Sequence, residues 1–219
     1  MSSKGYKGMG MEGAVARWYA KTTYKDITEF RALAKRMAEG LAPGARVLEV
    51  APGPGYFAIE LAKLGNFSIT GLDISETFVE IARKNAAEAG VTLDFRQGNA
   101  SKMPFADGSF DLILCRAAFK NFSEPVEALR EMRRVLRPGG RAVIIDLRRD
   151  TPKEEIDAYV DKMDRGRLNS AFIKFTFRVM LCKRACTRES MGRFVAESGF
   201  EKFEIAEAPL GFEVTLWKT

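Results

Sequence analysis

The chain has 219 residues, 46% hydrophobic and 29% charged, with 35 Lys and Arg against 29 Asp and Glu and no histidine. That balance suits one globular domain with a sizeable core, while the missing imidazole excludes Ser-His-Asp and Cys-His hydrolases, H-E-x-x-H metalloproteases and any histidine base. No apolar run reaches the ~18 residues of a membrane span or resembles a signal peptide, and three cysteines without a C-x-x-C pair argue against zinc and disulfides and for a reducing cytoplasm.

Residues 1–10 are expected to be disordered, and residues 11–219 to form the single domain. Helical spacing runs through 11–40 (Val15, Trp18, Tyr19; then Ile27, Phe30, Leu33, Ala34, Met37), broken near Thr22-Thr23 and closed by Gly40. After the Pro43-Gly44 turn a strand covers about 45–50, and strand and helix then alternate. The second strand is about 67–73, and Ser75 caps a helix through Ala89. Gly90 ends that helix, and a third strand covers about 91–96. A loop from Gln97 to Ser109 precedes the fourth strand, Phe110 to Cys115. The next helix, about 123–137, stops at Pro138-Gly139-Gly140. The fifth strand, Ala142 to Leu147, is continuously apolar up to Asp146, as in a strand buried on both faces.

Residues 151–186 break the alternation. They are helical in pattern and rich in Met, Phe and Arg, and read either as a lid over the C-terminal edge of the sheet or as a helix pair that covers it. A helix at about 187–198 and an antiparallel pair of strands, 201–207 and 211–217, close the chain. The Lys- and Arg-rich second half (Arg130, Arg133, Arg134, Arg137, Arg141, Arg148, Arg149, then Lys174 to Arg188) reads as a solvated face, with an anionic partner as the alternative.

The chemistry concentrates in Val47-Leu48-Glu49-Val50-Ala51-Pro52-Gly53-Pro54-Gly55-Tyr56, a strand, tight turn and helix start. Gly53 to Ala58 also fits the G-x-G-x-x-G/A dinucleotide pattern. A pyrophosphate needs backbone N–H donors and no neighbouring anion, yet Pro52 and Pro54 bring no N–H and Glu49 would repel it. A ligand carrying a sulfonium tolerates both, so the corner favours S-adenosylmethionine over NAD. Asp73 follows roughly 20 residues on, where an acid meets ribose hydroxyls. Ile74 is expected against the adenine face and Gly98-Asn99-Ala100 beside its edge, and Leu136-Arg137-Pro138-Gly139-Gly140 marks a helix stop before a buried strand.

With these motifs in order, residues 45–147 resemble the class I S-adenosylmethionine-dependent methyltransferases, in particular the broad bacterial group that acts on small molecules. The resemblance implies an α/β fold: a Rossmann-like doubly wound sheet of seven strands with the last antiparallel, N-terminal helices, and the insertion before the last helix-strand-strand unit. It implies that Glu49, Gly53 and Gly55 surround the methionine part, Asp73 the ribose, Ile74, Asn99 and Ala100 the adenine, and Cys115 and Arg116 the methionine end. Four positions depart from the family pattern. Ala51 replaces a common Gly and fits if its φ is negative. Asn99 replaces an Asp and can still accept from the adenine amino group through its side-chain oxygen. Lys120-Asn121 stand where a His pair often does, so no catalytic base carries over.

Methyl transfer from a sulfonium has an activated leaving group, and positioning alone is worth roughly 7–11 kcal/mol. The missing histidines therefore favour an acceptor that is nucleophilic by itself, a nitrogen, sulfur or oxygen, or an activated carbon, of a small molecule. Tyr19, Tyr24 and Asn121 are the candidate catalytic residues, the tyrosines hydrogen-bonding the acceptor or sulfonium side, with Phe119 and Lys120 lining the pocket. Trp18 is expected in the core. Rival readings are a nucleic-acid or protein methyltransferase, for which no recognisable RNA-binding module is seen, a metalloid acceptor held by Cys115, Cys182 and Cys186, and a non-catalytic S-adenosylmethionine binder. No nucleic-acid partner and no metal are expected, and the sequence leaves the oligomeric state open.

Overall fold

A computed structural model describes residues 5–7, 10–162, 171, 174–175, 177, 181–208 and 210–219. Helix α1 (Gly13–Thr23), a 3-10 turn (Tyr24–Asp26) and α2 (Ile27–Ala38) precede β1 (Arg46–Val50) and α3 (Tyr56–Ala62). Then come β2 (Ser68–Asp73), α4 (Glu76–Glu88), β3 (Asp94–Gln97), β4 (Phe110–Arg116), a 3-10 turn (Phe119–Asn121), α5 (Pro125–Val135) and β5 (Leu136–Leu147). Helix α6 (Lys153–Lys162), a helical turn (Cys182–Arg184), α7 (Arg188–Ser198), β6 (Lys202–Ala208) and β7 (Gly211–Trp217) complete the described chain.

The strands form one sheet in the order β3-β2-β1-β4-β5-β7-β6. β7 runs antiparallel to both β5 and β6, and the other six strands are parallel. This is the doubly wound arrangement expected from the sequence, with its crossovers on both faces. Alternation along the central strands divides the core. Val47, Leu112, Leu114 and Val143 pack on one face with α2, α3 and α4. Leu48, Val50, Ile113, Cys115 and Ile144 pack on the other with α5 and α7.

Local chemistry sets the element ends. The Ser75 hydroxyl accepts from the Phe78 N–H at 3.1 Å and caps α4. Thr187 and Ser190 form a reciprocal capping box at the start of α7. β5 begins at Leu136 rather than after Pro138-Gly139-Gly140, where the helix was expected to stop. The reason is a partner: the Gly139 N–H donates to Lys218 O at 2.7 Å and Lys218 N–H to Gly140 O at 3.1 Å, so the Pro-Gly-Gly stretch extends beside the strand. β3, by contrast, is shorter than expected, at Asp94–Gln97.

Residues 5–7 lie within the stretch expected to be disordered, yet they make defined contacts. Tyr6 bridges Phe122 antiparallel, the Lys7 N–H donates to Asn121 O at 2.7 Å, and Ser123 N–H to Gly5 O at 3.3 Å. Of the 151–186 stretch, α6 rests through Ile156 and Val160 on Cys182 and Leu210, beside Leu147 at the end of β5. The remainder of that stretch lies largely outside the described residues, including Arg178. No described helix is long and apolar enough to cross a membrane.

Candidate functional site

β1, β2 and β4 end side by side, and the reversal of strand order between β1 and β4 opens the cleft where ligands bind in such sheets. Glu49, one residue before the end of β1, is only 4% exposed. Among the described residues its single hydrogen bond comes from the Ala58 N–H at 3.2 Å. Burial pushes its carboxyl up to about 8, assisted by the like charge of Asp73 and opposed by that hydrogen bond and by Arg116. Asp73 accepts from the N–H groups of Gly53 and Ser75, both at 2.9 Å. These bonds only partly offset burial, which lifts Asp73 to about 6. Two acids thus stand buried in one cleft with, among the described residues, no side-chain cation in hydrogen-bonding reach.

The turn between β1 and α3 is shaped by its glycines. Gly55 enters α3 with φ +78°, and a Cβ there would lie 2.9 Å from Phe95 and 3.0 Å from Ala82. Gly53 has φ +54°, and no atom stands within 4 Å of where its Cβ would be, which leaves backbone open to the cleft. Ala51 corrects an expectation: its φ is +57°, not negative. Its N–H is held by Leu72 O at 2.8 Å, so the strand pairing imposes the left-handed turn despite the methyl. Ala117, directly after β4, has the same φ of +57°.

Ile74 and Asn99 flank the cleft beside Asp73. The Asn99 side-chain oxygen accepts the Ser101 N–H at 2.9 Å, so one of the lone pairs expected for adenine is already engaged. Gly5 crosses both residues: a Cβ on it would stand 2.8 Å from Asn99 Nδ2 and from Ile74 Cδ1. Ala100 packs against the core behind them. Cys115 is fully buried, and burial raises its thiol far above the usual range, so the thiol is inert. Arg116 lies over the Phe30 ring, 4.5 Å from its centroid, and pairs with Glu29 at 3.1 Å.

The candidate catalytic residues separate. Tyr19 is half-buried with its ring edge-on to Phe78, and burial raises its hydroxyl, with Arg116, Tyr6, Asp26 and Asp146 acting on it. Asn121 sits in the 3-10 turn after β4, its carbonyl taken by Lys7. Tyr24 stands apart, 59% exposed with its ring against Tyr56. Trp18, expected in the core, is 66% exposed.

Sequence reasoning missed a buried pair. Lys120 Nζ lies 3.0 Å from Asp146, the Lys120 N–H donates to the same carboxylate at 2.8 Å, and Lys120 Nζ also donates to Ala117 O. Both residues are nearly inaccessible. The signal was there, a charge in each of two apolar segments, but 26 residues separate the partners. Tyr6 was also missed; burial raises its hydroxyl, with Arg184 and Asp73 acting on it. Among the described residues no group of three His, Cys, Asp or Glu converges to hold a metal. In the basic second half, Arg130, Arg134, Arg137 and Arg148 each face a carboxylate, which favours the solvated-face reading.

A family model described as "Methyltransferase domain" matches residues 48–144. The chain is 30% identical over 196 residues to the demethylmenaquinone methyltransferase of Chlorobaculum parvum, covering 85% of this chain and 79% of that protein. It spans about half the length of other curated relatives, such as the ubiquinone/menaquinone biosynthesis C-methyltransferase of Bdellovibrio bacteriovorus (36% identity over 108 residues, 49% of this chain and 46% of that protein). Among solved structures, one from Methanococcus maripaludis, provisionally described as an S-adenosyl-L-methionine-dependent methyltransferase, matches 100% of this chain and 97% of that chain with 25% identity and a TM-score of 0.78.

Proposed function

The chain belongs to the class I S-adenosylmethionine-dependent methyltransferases, and from that premise we propose that it methylates a small lipophilic acceptor at a hydroxyl-activated ring carbon. The observation that carries the cofactor half is Glu49, a carboxyl buried at the cleft with one hydrogen bond and, among the described residues, no ion-pair partner. A buried acid of this kind suits a ligand that brings its own positive charge. The open backbone at Gly53 and the acid at Asp73 fit the rest of such a ligand.

S-adenosylmethionine, when bound, supplies an electrophilic methyl group on a sulfonium and departs as a neutral thioether. Glu49 would hold the positive charge at the methionine end, and Asp73 the ribose hydroxyls. Ile74, Asn99 and Ala100 would border the adenine, with Cys115 and Arg116 closing the methionine end. On the acceptor side, Tyr19 would hold a ring hydroxyl by hydrogen bonding, beside Asn121 and Phe119. Covering the cleft excludes water and fixes the acceptor in line, which is where a transfer with a good leaving group gains most.

Carbon is preferred as the target because one relative is named a ubiquinone/menaquinone biosynthesis C-methyltransferase and another a demethylmenaquinone methyltransferase. A nitrogen, sulfur or oxygen acceptor is the second reading, favoured by the absence of histidine and so of an imidazole base. Incubation with S-adenosylmethionine and either a reduced short-chain demethylnaphthoquinone or a panel of amines, thiols and phenols separates them. The expected product is the quinol methylated on a ring carbon. Methylation of an amine or thiol alone would establish the second reading. Tight cofactor binding with no methylated product from any acceptor would leave a binding module.

A further inference from the structure

Helix α1 has two unlike faces. Ala16 and Ala20 are buried, the Tyr19 ring packs on Phe78, and the Tyr56 hydroxyl donates to Ala20 O at 2.9 Å. The opposite face carries Val15, 39% exposed, and Trp18, 66% exposed, three residues apart on one ridge. Tyr24, 59% exposed, follows in the next turn. Beside the ridge stand Arg17, Lys21 and Lys25, all exposed and, among the described residues, without an ion-pair partner. The nearby acids face elsewhere: Glu12 takes the N–H groups of Glu76 and Thr77, and Glu29 pairs with Arg116.

Exposed indole and phenol rings interleaved with unpaired cations suit the boundary between water and lipid. The rings tolerate an environment apolar at one end and wet at the other, and the cations meet lipid phosphates. We propose that α1 and the turn after it dock on an anionic bilayer surface, with Trp18 and Tyr24 among the headgroups and Arg17, Lys21 and Lys25 against the phosphates. Trp18 and Tyr19 are sequence neighbours about 100° apart around α1, so docking holds the candidate acceptor wall within about one helix diameter, ~10 Å, of the lipid. This rests on the lipophilic acceptor proposed above only for its purpose. Docking itself is measured without any acceptor.

The test uses the full chain with W217F, which leaves Trp18 as the sole indole, and sedimentation with phosphatidylcholine vesicles with and without phosphatidylglycerol. The expected result is retention on the anionic vesicles alone, a blue shift of Trp18 emission, and release by salt. K21E should weaken retention at least fivefold, from roughly fivefold per surface charge. W18A, in the chain that keeps Trp217, should abolish most of it with thermal unfolding and S-adenosylhomocysteine affinity unchanged. No retention, or retention indifferent to W18A and K21E, overturns the proposal. So does a dimer in solution that W18A dissociates, because the face would then belong to a second copy. A chain that docks but methylates only soluble amines keeps the docking surface and loses the quinol acceptor. A chain that methylates quinols in detergent yet ignores vesicles does the reverse.

Discussion

The β1–β2 and β4–β5 ends of the sheet bury their acidic side chains in opposite ways. Glu49 and Asp73 are enclosed with backbone N–H donors only. Asp146, at the end of β5, is enclosed with Lys120 3.0 Å away and with the N–H groups of Lys120 and Leu147 on its oxygens. Among the described residues, one end has no ion-pair partner for its acids and is complementary to a cationic ligand. The other carries its countercharge within the chain and serves to hold the loop after β4 in place.

Removing one member of the closed pair should have the largest effect. Lys120→Met leaves Asp146 buried and unpaired, and should cost about 3–5 kcal/mol of stability in urea denaturation. The double variant K120M/D146L should recover most of that loss. If K120M alone is neutral, the two ends do not differ as described.

The open end should respond through its ligand. Glu49→Gln keeps the shape and removes the charge, so S-adenosylmethionine affinity should fall about 10- to 100-fold, from the ~1.5–3 kcal/mol of a charged hydrogen bond. The ligand-free protein should not melt lower. Folded Glu49 keeps its proton up to about pH 8, whereas its ordinary value is 4.5. Between those limits the folded state binds more protons, so this residue's contribution to stability falls as pH rises through that window. Binding of a cation that needs the carboxylate therefore tightens up to about pH 8. Calorimetry from pH 6 to 9 checks both, and affinity flat across that range in the native chain would remove Glu49 as the partner.

The smallest effect belongs to the strained turn between the ends. Ala51→Gly relieves the left-handed φ of +57°, worth about 1–2 kcal/mol, less the ~0.4–1 kcal/mol of extra chain entropy. Melting should rise by about 2 °C. A lower melting temperature would mean that the methyl packs usefully despite its backbone.

What was legible in the sequence was local. Glu49, Gly53, Gly55 and Asp73 lie at strand ends and in one turn, where residue type and spacing fix the geometry. Lys120–Asp146 and Gly5 against Asn99 and Ile74 are contacts between distant segments, and no period or cap announces them. The start of β5 was misplaced for the same reason, since Pro138-Gly139-Gly140 is extended by Lys218, 78 or more residues away. Ala51 was misjudged because a sequence does not print φ.

The strand order also sets a timetable. β6 hydrogen-bonds to β7 alone, and β7 alone covers the free edge of β5. As a chain grows from its N-terminus, Ala142–Leu147 therefore presents an unpaired, apolar edge until Gly211–Trp217 has been made. β6 emerges first and has nothing to join. The whole outer side of the sheet is assembled in a single late event, and that interval is when this chain is most exposed to pairing with a neighbour.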